Sequence, residues 1–144
     1  MTHGLDTGFL VAAEVAEHAD HAAARQKLQD FRAAGDRLAL TAQVLAEFVH
    51  VVTDPKRFAA PLDMEAALER AQIWWESPEV DQLGTDAFSV VTFFTWMRQH
   101  RLGRKRILDT LLAATFHEAG IQSVLTTNSR DFTVLGSFVC LTPQ

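Results

Sequence analysis

The N-terminal stretch MTHGLDTGFLVAAEVAE (residues 1–17) contains the pattern that decides the fold. Residues 2–6 predict a short strand that runs into Asp6, and from Gly8 to Glu17 the apolar residues recur at helical spacing. The order of strand and then helix returns along the rest of the chain. Such alternation is typical of βαβ units, in which the strands form a parallel sheet.

The remaining sequence predicts further strands and helices in the same order. The strands lie at residues 38–41, 80–83, 121–126 and 138–141. The helices lie at residues 20–34, 44–52, 61–75, 88–97 and 107–119. The helix over residues 88–97 is apolar on nearly all sides, so we expect it to be buried on more than one side. We predict an α/β fold: a single domain over residues 1–144, with a short parallel sheet of about five strands and helices on both faces.

The composition supports one folded domain. The chain has 144 residues, of which 48% are hydrophobic and 22% charged, and these values exclude a disordered chain. No apolar run approaches the roughly 18 residues of a membrane span, and the N-terminus lacks the basic and apolar regions of a signal peptide. Cys140 is the one cysteine, which excludes a disulfide framework. We expect a cytoplasmic protein that does not bind membranes.

The charge balance separates two classes of nucleic-acid protein. With 13 basic and 18 acidic residues the formal net charge is −5, which disfavours a protein that coats nucleic acid passively. It does not exclude an enzyme whose acids are gathered in one place. The positions of the acids therefore matter more than their number.

Four acids follow predicted strands or begin helices near them. Asp6 follows the first strand, and Glu47 lies on the helix after the second. Asp109 lies in the first turn of its helix, and Asp131 comes shortly after the strand that ends at Thr126. Because the carboxyl ends of parallel strands meet at one edge of a sheet, we expect these acids to converge there.

A cluster of carboxylates is costly, because like charges repel unless a cation offsets the repulsion. Mg²⁺ prefers oxygen ligands, and one or two such ions activate water and stabilise the transition state of phosphoryl transfer. The pattern therefore indicates metal-assisted hydrolysis of phosphodiester bonds. The alternative is that each acid is structural, since a single acid after a strand is usually a turn residue or a helix cap.

Four ordered motifs resemble those of PIN-domain ribonuclease toxins of the VapC type. They are LDTGFL (5–10), TAQVLAEF (41–48), ILDTLLAAT (107–115) with EAG (118–120), and LTTNSRDF (125–132). Each motif is weak alone, but the ordered set covers nearly the whole chain. The resemblance implies a PIN-like fold and an endoribonuclease that depends on Mg²⁺ or Mn²⁺. It also implies a homodimer that a small antitoxin protein holds inactive.

The resemblance assigns a role to each matching residue. The metal-binding and catalytic acids would be Asp6, Glu47, Asp109 and Asp131. Thr126 matches a hydroxyl residue beside the site, and Asn128 takes the place of another Asp, as a weaker ligand or a support for the ligands. Gly8 stands where Asn is common, which removes a polar group that would orient Asp6.

A basic segment precedes Asp109. Five of the 13 Lys and Arg residues lie within nine positions, from Arg98 to Arg106. We expect Arg104, Lys105 and Arg106 to contact RNA phosphates. The alternative is that these cations simply favour a helix C-terminus near Gly103.

Other assignments remain open from sequence. The chain could be a PIN-fold module that binds RNA or protein without catalysis, or another metal-dependent phosphohydrolase. Asp6-Thr7-Gly8 is also the active-site triplet of aspartic proteases, but those are all-β proteins. Glu14, His18 and His21 are spaced like a metal-binding helix face, but Asp20 starts a new helix, so we assign them to exposed surface.

Overall fold

The computed structural model describes residues 1–144 and contains one five-stranded sheet in the order β3-β2-β1-β4-β5. All four neighbouring pairs are parallel. The strands are β1 (Thr2–Leu5), β2 (Arg37–Thr41), β3 (Val80–Leu83), β4 (Ser123–Leu125) and β5 (Val139–Leu141). The predicted α/β class and parallel sheet are confirmed, although β4 is shorter than the predicted strand at residues 121–126.

Seven helices connect and flank the strands. They are α1 (Thr7–Glu14), α2 (His21–Ala33), α3 (Ala42–Val52), α4 (Met64–Glu76), α5 (Ala87–Gln99), α6 (Ile107–Glu118) and α7 (Arg130–Thr133). A short 3-10 turn at Arg104–Arg106 precedes α6. Several helices begin at a side-chain cap, as at Thr41, Asp63 and Asp86, which explains why their starts could be predicted. The short helix α7 was not predicted, because four residues are too few to display a helical period.

The direction of the chain through the sheet creates a crevice beside β1. The chain passes from β1 to β2 and β3 on one side, and then returns to β4 and β5 on the other. Because parallel crossovers are right-handed, α1–α4 cover one face of the sheet and α5–α7 cover the other. Ligands of such sheets bind beyond the carboxyl ends of the strands, at the point where the order reverses. Here that point lies between β1 and β4.

The core is built around the three central strands. Leu5, Leu40 and Leu125 are fully buried, and large rings such as those of Phe48 and Phe116 pack from the helices. This packing holds the carboxyl ends of β1, β2 and β4 in fixed positions. Side chains that follow those strands are therefore placed by the sheet itself.

Helix α5 differs from the sequence prediction. Only Ser89 and Trp96 are buried, whereas Phe88 is 73%, Val91 62% and Phe94 50% exposed. The prediction that this helix is buried on more than one side is therefore wrong for the single chain. The helix packs mainly on α6, and its outer apolar face is exposed in the single chain. None of the helices has the length and the apolar run that crossing a membrane requires.

We predict that Gly4→Ala destabilises the fold. A Cβ at position 4 would lie 2.9 Å from the ring of Phe116, which is fully buried and cannot move freely. Overpacking of this kind costs about 1–3 kcal/mol, to be measured as the free energy of unfolding in urea. Gly84→Ala is the matched control, because nothing lies within 4 Å of a Cβ there. Equal stability of the two variants would contradict the packing described for β1.

Candidate active site

A cleft of about 710 Å³ opens at the carboxyl edge of the sheet. It is lined by Asp6, Glu47, Asp109 and Asp131, together with Asn128. The structure thus brings together the four acids that the sequence placed on remote segments. Their convergence follows from the topology, because β1 and β4 are neighbours although 120 positions separate Asp6 from Thr126.

Asp6 joins the end of β1 to the start of α1. One carboxylate oxygen accepts the Thr7 amide proton at 2.8 Å, and the other accepts the hydroxyl proton of Thr126 at 2.8 Å. Thr126 is itself oriented, since its Oγ1 accepts the Asn128 amide proton at 3.0 Å. Asp6 is only 9% exposed, and this burial raises its pKa to about 6 although both hydrogen bonds oppose the rise.

Glu47 lies in the middle of α3 and faces α1. Its Oε2 accepts the hydroxyl proton of Thr7 at 2.9 Å, and its Oε1 accepts from Gln43 Nε2 at 3.2 Å. The same Gln43 nitrogen donates to the carbonyl of Leu108 at 3.0 Å, so it links α3 to the start of α6. Thr7 and Gln43 were missed as site residues. The spacing of four between Gln43 and Glu47 was the available sign that they share a helix face.

Asp109 and Asp131 form the opposite side of the cleft. Burial and, after it, the negative charges of Asp131, Asp6 and Glu47 together raise the pKa of Asp109 to about 7. Asp109 accepts no hydrogen bond from a protein donor. Asp131 accepts two, from Arg106 Nη1 at 2.7 Å and from Asn128 Nδ2 at 3.0 Å. The Asp109 carboxyl instead lies within hydrogen-bonding reach of the Asp131 carboxyl, a contact that favours its protonated form.

The basic segment before Asp109 divides into two parts. Arg104 and Lys105 are exposed, but Arg106 is half-buried and forms the ion pair with Asp131. The sequence predicted the same role, contact with RNA phosphates, for all three residues. They differ because the 3-10 turn points successive side chains in different directions.

Gly8 leaves room for Thr127 at the cleft wall. A Cβ at position 8 would collide with the Thr127 hydroxyl, so a larger residue there requires that side chain to move. Asp6 is oriented instead by the Thr7 amide and by Thr126. The polar group lost at position 8 is thus replaced by bonds from neighbouring residues.

The donor set of the cleft suits a hard cation. No three acidic, histidine or cysteine side chains already lie close enough to form a ligand set for one metal ion. Three of the four carboxylates make hydrogen bonds within the protein, which hold them in separate positions. However, the four carboxylates of the cleft supply the oxygen ligands that a hard cation prefers, and a bound cation would favour the ionised forms of Asp6 and Asp109.

The far end of the cleft has a different chemistry. Val11, His18, Val51, Arg57 and Phe58 line it. His18 is half-buried there, and Glu14 and His21 are half-buried as well, so the assignment of these three residues to exposed surface was wrong. The helix period could not place it, because His18 lies in the connection between α1 and α2.

Comparisons with known proteins agree with this architecture. Residues 5–136 match the model of the PIN domain family. Among solved structures, VapC20 of Mycobacterium tuberculosis, described as a toxin that cleaves the sarcin–ricin loop, has a TM-score of 0.72 and 18% identity, covering 96% of this chain and 97% of its own. VapBC-1 from nontypeable Haemophilus influenzae has a TM-score of 0.69 and 16% identity, covering 99% of this chain and 98% of its own.

A third structure is VapBC2 from Rickettsia felis, bound to a DNA fragment from its promoter. It has a TM-score of 0.69 and 18% identity, covering 99% of this chain and 98% of its own. No curated protein sequence matches the chain. At these identities the three structures support the fold rather than any shared activity.

We predict that Asp109→Asn stabilises the protein in EDTA. Because the folded-state pKa of Asp109 is raised to about 7 from 3.8, its stabilising protonated form is lost as the pH rises through that range. The wild type should therefore lose stability relative to the variant between about pH 4 and pH 7, the interval between the two pKa values. The rise in Tm should be a few degrees, since about 1 kcal/mol moves Tm by about 4 °C in a domain of this size.

Two measurements control this experiment. Glu69→Gln removes an exposed acid on α4 that is not among the cleft residues, and it should leave the pH profile of Tm unchanged. Saturating Mn²⁺ should stabilise the wild type more than Asp109→Asn. A pH-independent difference between wild type and Asp109→Asn would contradict the crowding of carboxylates in the cleft.

Proposed function

This chain belongs to the PIN-domain family, and we propose that it is a metal-dependent endoribonuclease that acts as the toxin of a toxin–antitoxin pair. One observation carries the proposal: four carboxylates from remote segments line one open cleft at the switch point of the sheet. Holding these like charges together lowers the stability of the protein when no cation is bound. A function that uses a divalent cation and a phosphodiester gives a reason for the arrangement.

The proposed cofactor is Mg²⁺ or Mn²⁺. We assign its ligands to Asp6, Glu47 and Asp109, with Asp131 as the fourth acid. When bound, such an ion supplies an activated water and stabilises the charge that develops on the phosphate. Thr126 and the Thr7 amide orient Asp6, and Arg106 and Asn128 hold Asp131.

The proposed substrate is RNA, and its backbone would lie against the exposed side chains of Arg104 and Lys105. These cations adjoin Arg106, whose pair with Asp131 ties the basic segment to the cleft. An RNA strand that reaches the acids from this side meets positive charge first. These cations would attract the RNA backbone locally, although the chain as a whole carries a net charge of −5.

Two protein partners are proposed. The VapBC structures that resemble this chain are named as pairs, which supports a small antitoxin partner here. A homodimer is supported by the exposed apolar face of α5, around Phe88, Val91 and Phe94. Large exposed apolar patches mark protein interfaces, and a second copy of the chain carries the same self-complementary face.

The second candidate function is a PIN-fold module that binds RNA or protein without catalysis. Two observations favour it: no three acids form a ready ligand set, and Asp131 is already paired with Arg106. It differs from the first candidate in one measurable respect, because such a module would bind RNA and leave it intact. A general phosphohydrolase, the remaining alternative, would instead release phosphate from mononucleotides.

We predict that the purified, partner-free protein cleaves total RNA into discrete products with Mn²⁺ or Mg²⁺ and not with EDTA. Asp6→Asn and Asp109→Asn should each lower the cleavage rate about 100-fold or more, since even residues that only orient metal ligands contribute up to about 100-fold. Glu69→Gln should cleave like the wild type. Intact RNA with a folded, metal-binding wild type would favour the binding module instead.

We predict that reversing the charges of Arg104 and Lys105 together weakens RNA binding and flattens its salt dependence. Each lost contact with single-stranded RNA should reduce the slope of log K against log salt by about 0.7. Binding would be measured by fluorescence anisotropy of labelled RNA at several salt concentrations. Lys27→Glu, on the distant helix α2, should leave the slope unchanged. An unchanged slope in the double variant would remove these cations from the interface.

A further inference from the structure

We infer that the far end of the cleft is a subsite for one unpaired RNA nucleotide, whose base stacks on Phe58 while Arg57 contacts its phosphate. The inference rests on the proposed function and adds to it the residues that would hold one nucleotide of the substrate beside the acids. The subsite is formed by Val11, His18, Val51, Arg57 and Phe58.

The subsite begins one helical turn beyond the acids. Val51 follows Glu47 by four residues on α3, and Val11 follows Thr7 by four on α1, so each pair shares a helix face. Four residues of helix span about 6 Å. Since α1 and α3 pack on each other, the cleft between them changes within that distance from carboxylates to apolar side chains. An apolar surface beside a phosphate-processing centre suits a base.

Arg57 is the one Lys or Arg among the residues that line the cleft. Its side chain is 63% exposed, and its only nearby carboxylate partner, Asp54, lies 4.0 Å away. In contrast, Arg106 is committed to Asp131 at 2.7 Å. The guanidinium of Arg57 is therefore free to bind a phosphate, with which it forms strong charge-assisted hydrogen bonds.

The loops that carry the subsite are held together. The carboxylate of Glu17, next to His18, accepts the amide protons of Ala59 at 2.8 Å and Ala60 at 3.2 Å, just after Phe58. This contact joins the connection after α1 to the loop after α3. The subsite is thus formed before any ligand binds, which lowers the entropic cost of binding.

His18 contributes a defined donor. Its Nδ1 accepts the amide proton of Asp20 at 3.0 Å, so the neutral ring has its hydrogen on Nε2. A ring N–H at the cleft wall can donate to a base edge or to a ribose oxygen. This places an apolar face, an aromatic ring, a cation and a neutral donor in one small region.

This combination is the one that proteins use for unpaired nucleotides. Bases of single-stranded RNA stack on aromatic rings, and arginine binds the adjoining backbone. In a duplex both faces of each base are covered by neighbouring bases, so Phe58 could not stack. The whole cleft, including the acids, has a volume of about 710 Å³, within the range of small-molecule sites.

The first test measures binding of a fluorescein-labelled single-stranded RNA by anisotropy, in the Asp109→Asn background so that the RNA stays intact. Phe58→Leu, which keeps the apolar volume, should weaken binding about fivefold or more because stacking is lost. Arg57→Gln should weaken binding and reduce the salt slope by about 0.7. Lys56→Gln is the matched control: it removes the adjacent exposed cation, which does not line the cleft, and should change neither value.

The second test uses RNAs in which a single abasic ribose replaces each nucleotide in turn. With Phe58 present, the abasic site should weaken binding strongly at one position, and Phe58→Leu should remove that position dependence. Melting curves establish that the variants are folded. Either of two results would overturn the subsite. One is that Arg57→Gln and Lys56→Gln change RNA binding equally. The other is that the loss of binding free energy from Phe58→Leu adds to the loss from an abasic ribose at every position.

The two proposals fail in different ways. Wild-type cleavage of RNA, together with binding that Phe58→Leu and Arg57→Gln do not alter, would overturn the subsite and leave the nuclease. Position-dependent binding by a wild type that never cleaves would overturn the nuclease and leave the subsite. Tight binding of duplex RNA in place of single strands would also overturn the subsite.

Discussion

The mutual repulsion of carboxylates at the carboxyl edge of the sheet is the constraint on which the rest of the site depends. Burial and neighbouring charges raise the pKa of Asp6 to about 6 and that of Asp109 to about 7. A flexible chain would relieve this repulsion by moving the groups apart. Here β1 and the start of α6 hold them in place, because the fully buried core around Leu5 and Phe116 does not permit such movement.

The protein offsets part of that cost with its own donors. Thr126 and the Thr7 amide bind Asp6, while Arg106 binds Asp131. These bonds fix the orientation of Asp6 and Asp131, and no three of the side chains already form a ligand set. The site is therefore preorganised as a group of oriented acids, in which Asp109 lies against the carboxyl of Asp131.

The same helices that carry the acids also shape the rest of the cleft. One turn beyond Glu47 and Thr7, the wall becomes apolar at Val51 and Val11, and Arg57 supplies a positive charge. A single packing contact, α1 on α3, thus connects the acidic centre to the proposed nucleotide subsite. On the opposite face of the sheet, α5 leaves an apolar surface exposed around Phe88, Val91 and Phe94.

The sequence by itself determined the order of strands and helices and the position of acids just after strands, because periodicity, caps and breakers act over a few neighbouring residues. It also indicated that Asp6 follows the first strand, that Glu47 lies on the helix after the second, and that Asp109 lies in the first turn of a helix. Only the tertiary structure decided that Arg106 binds Asp131, that His18 and Arg57 line the cleft, and that α5 is exposed. Those outcomes depend on which remote segments become neighbours, and that is set by packing of the whole core rather than by any local pattern.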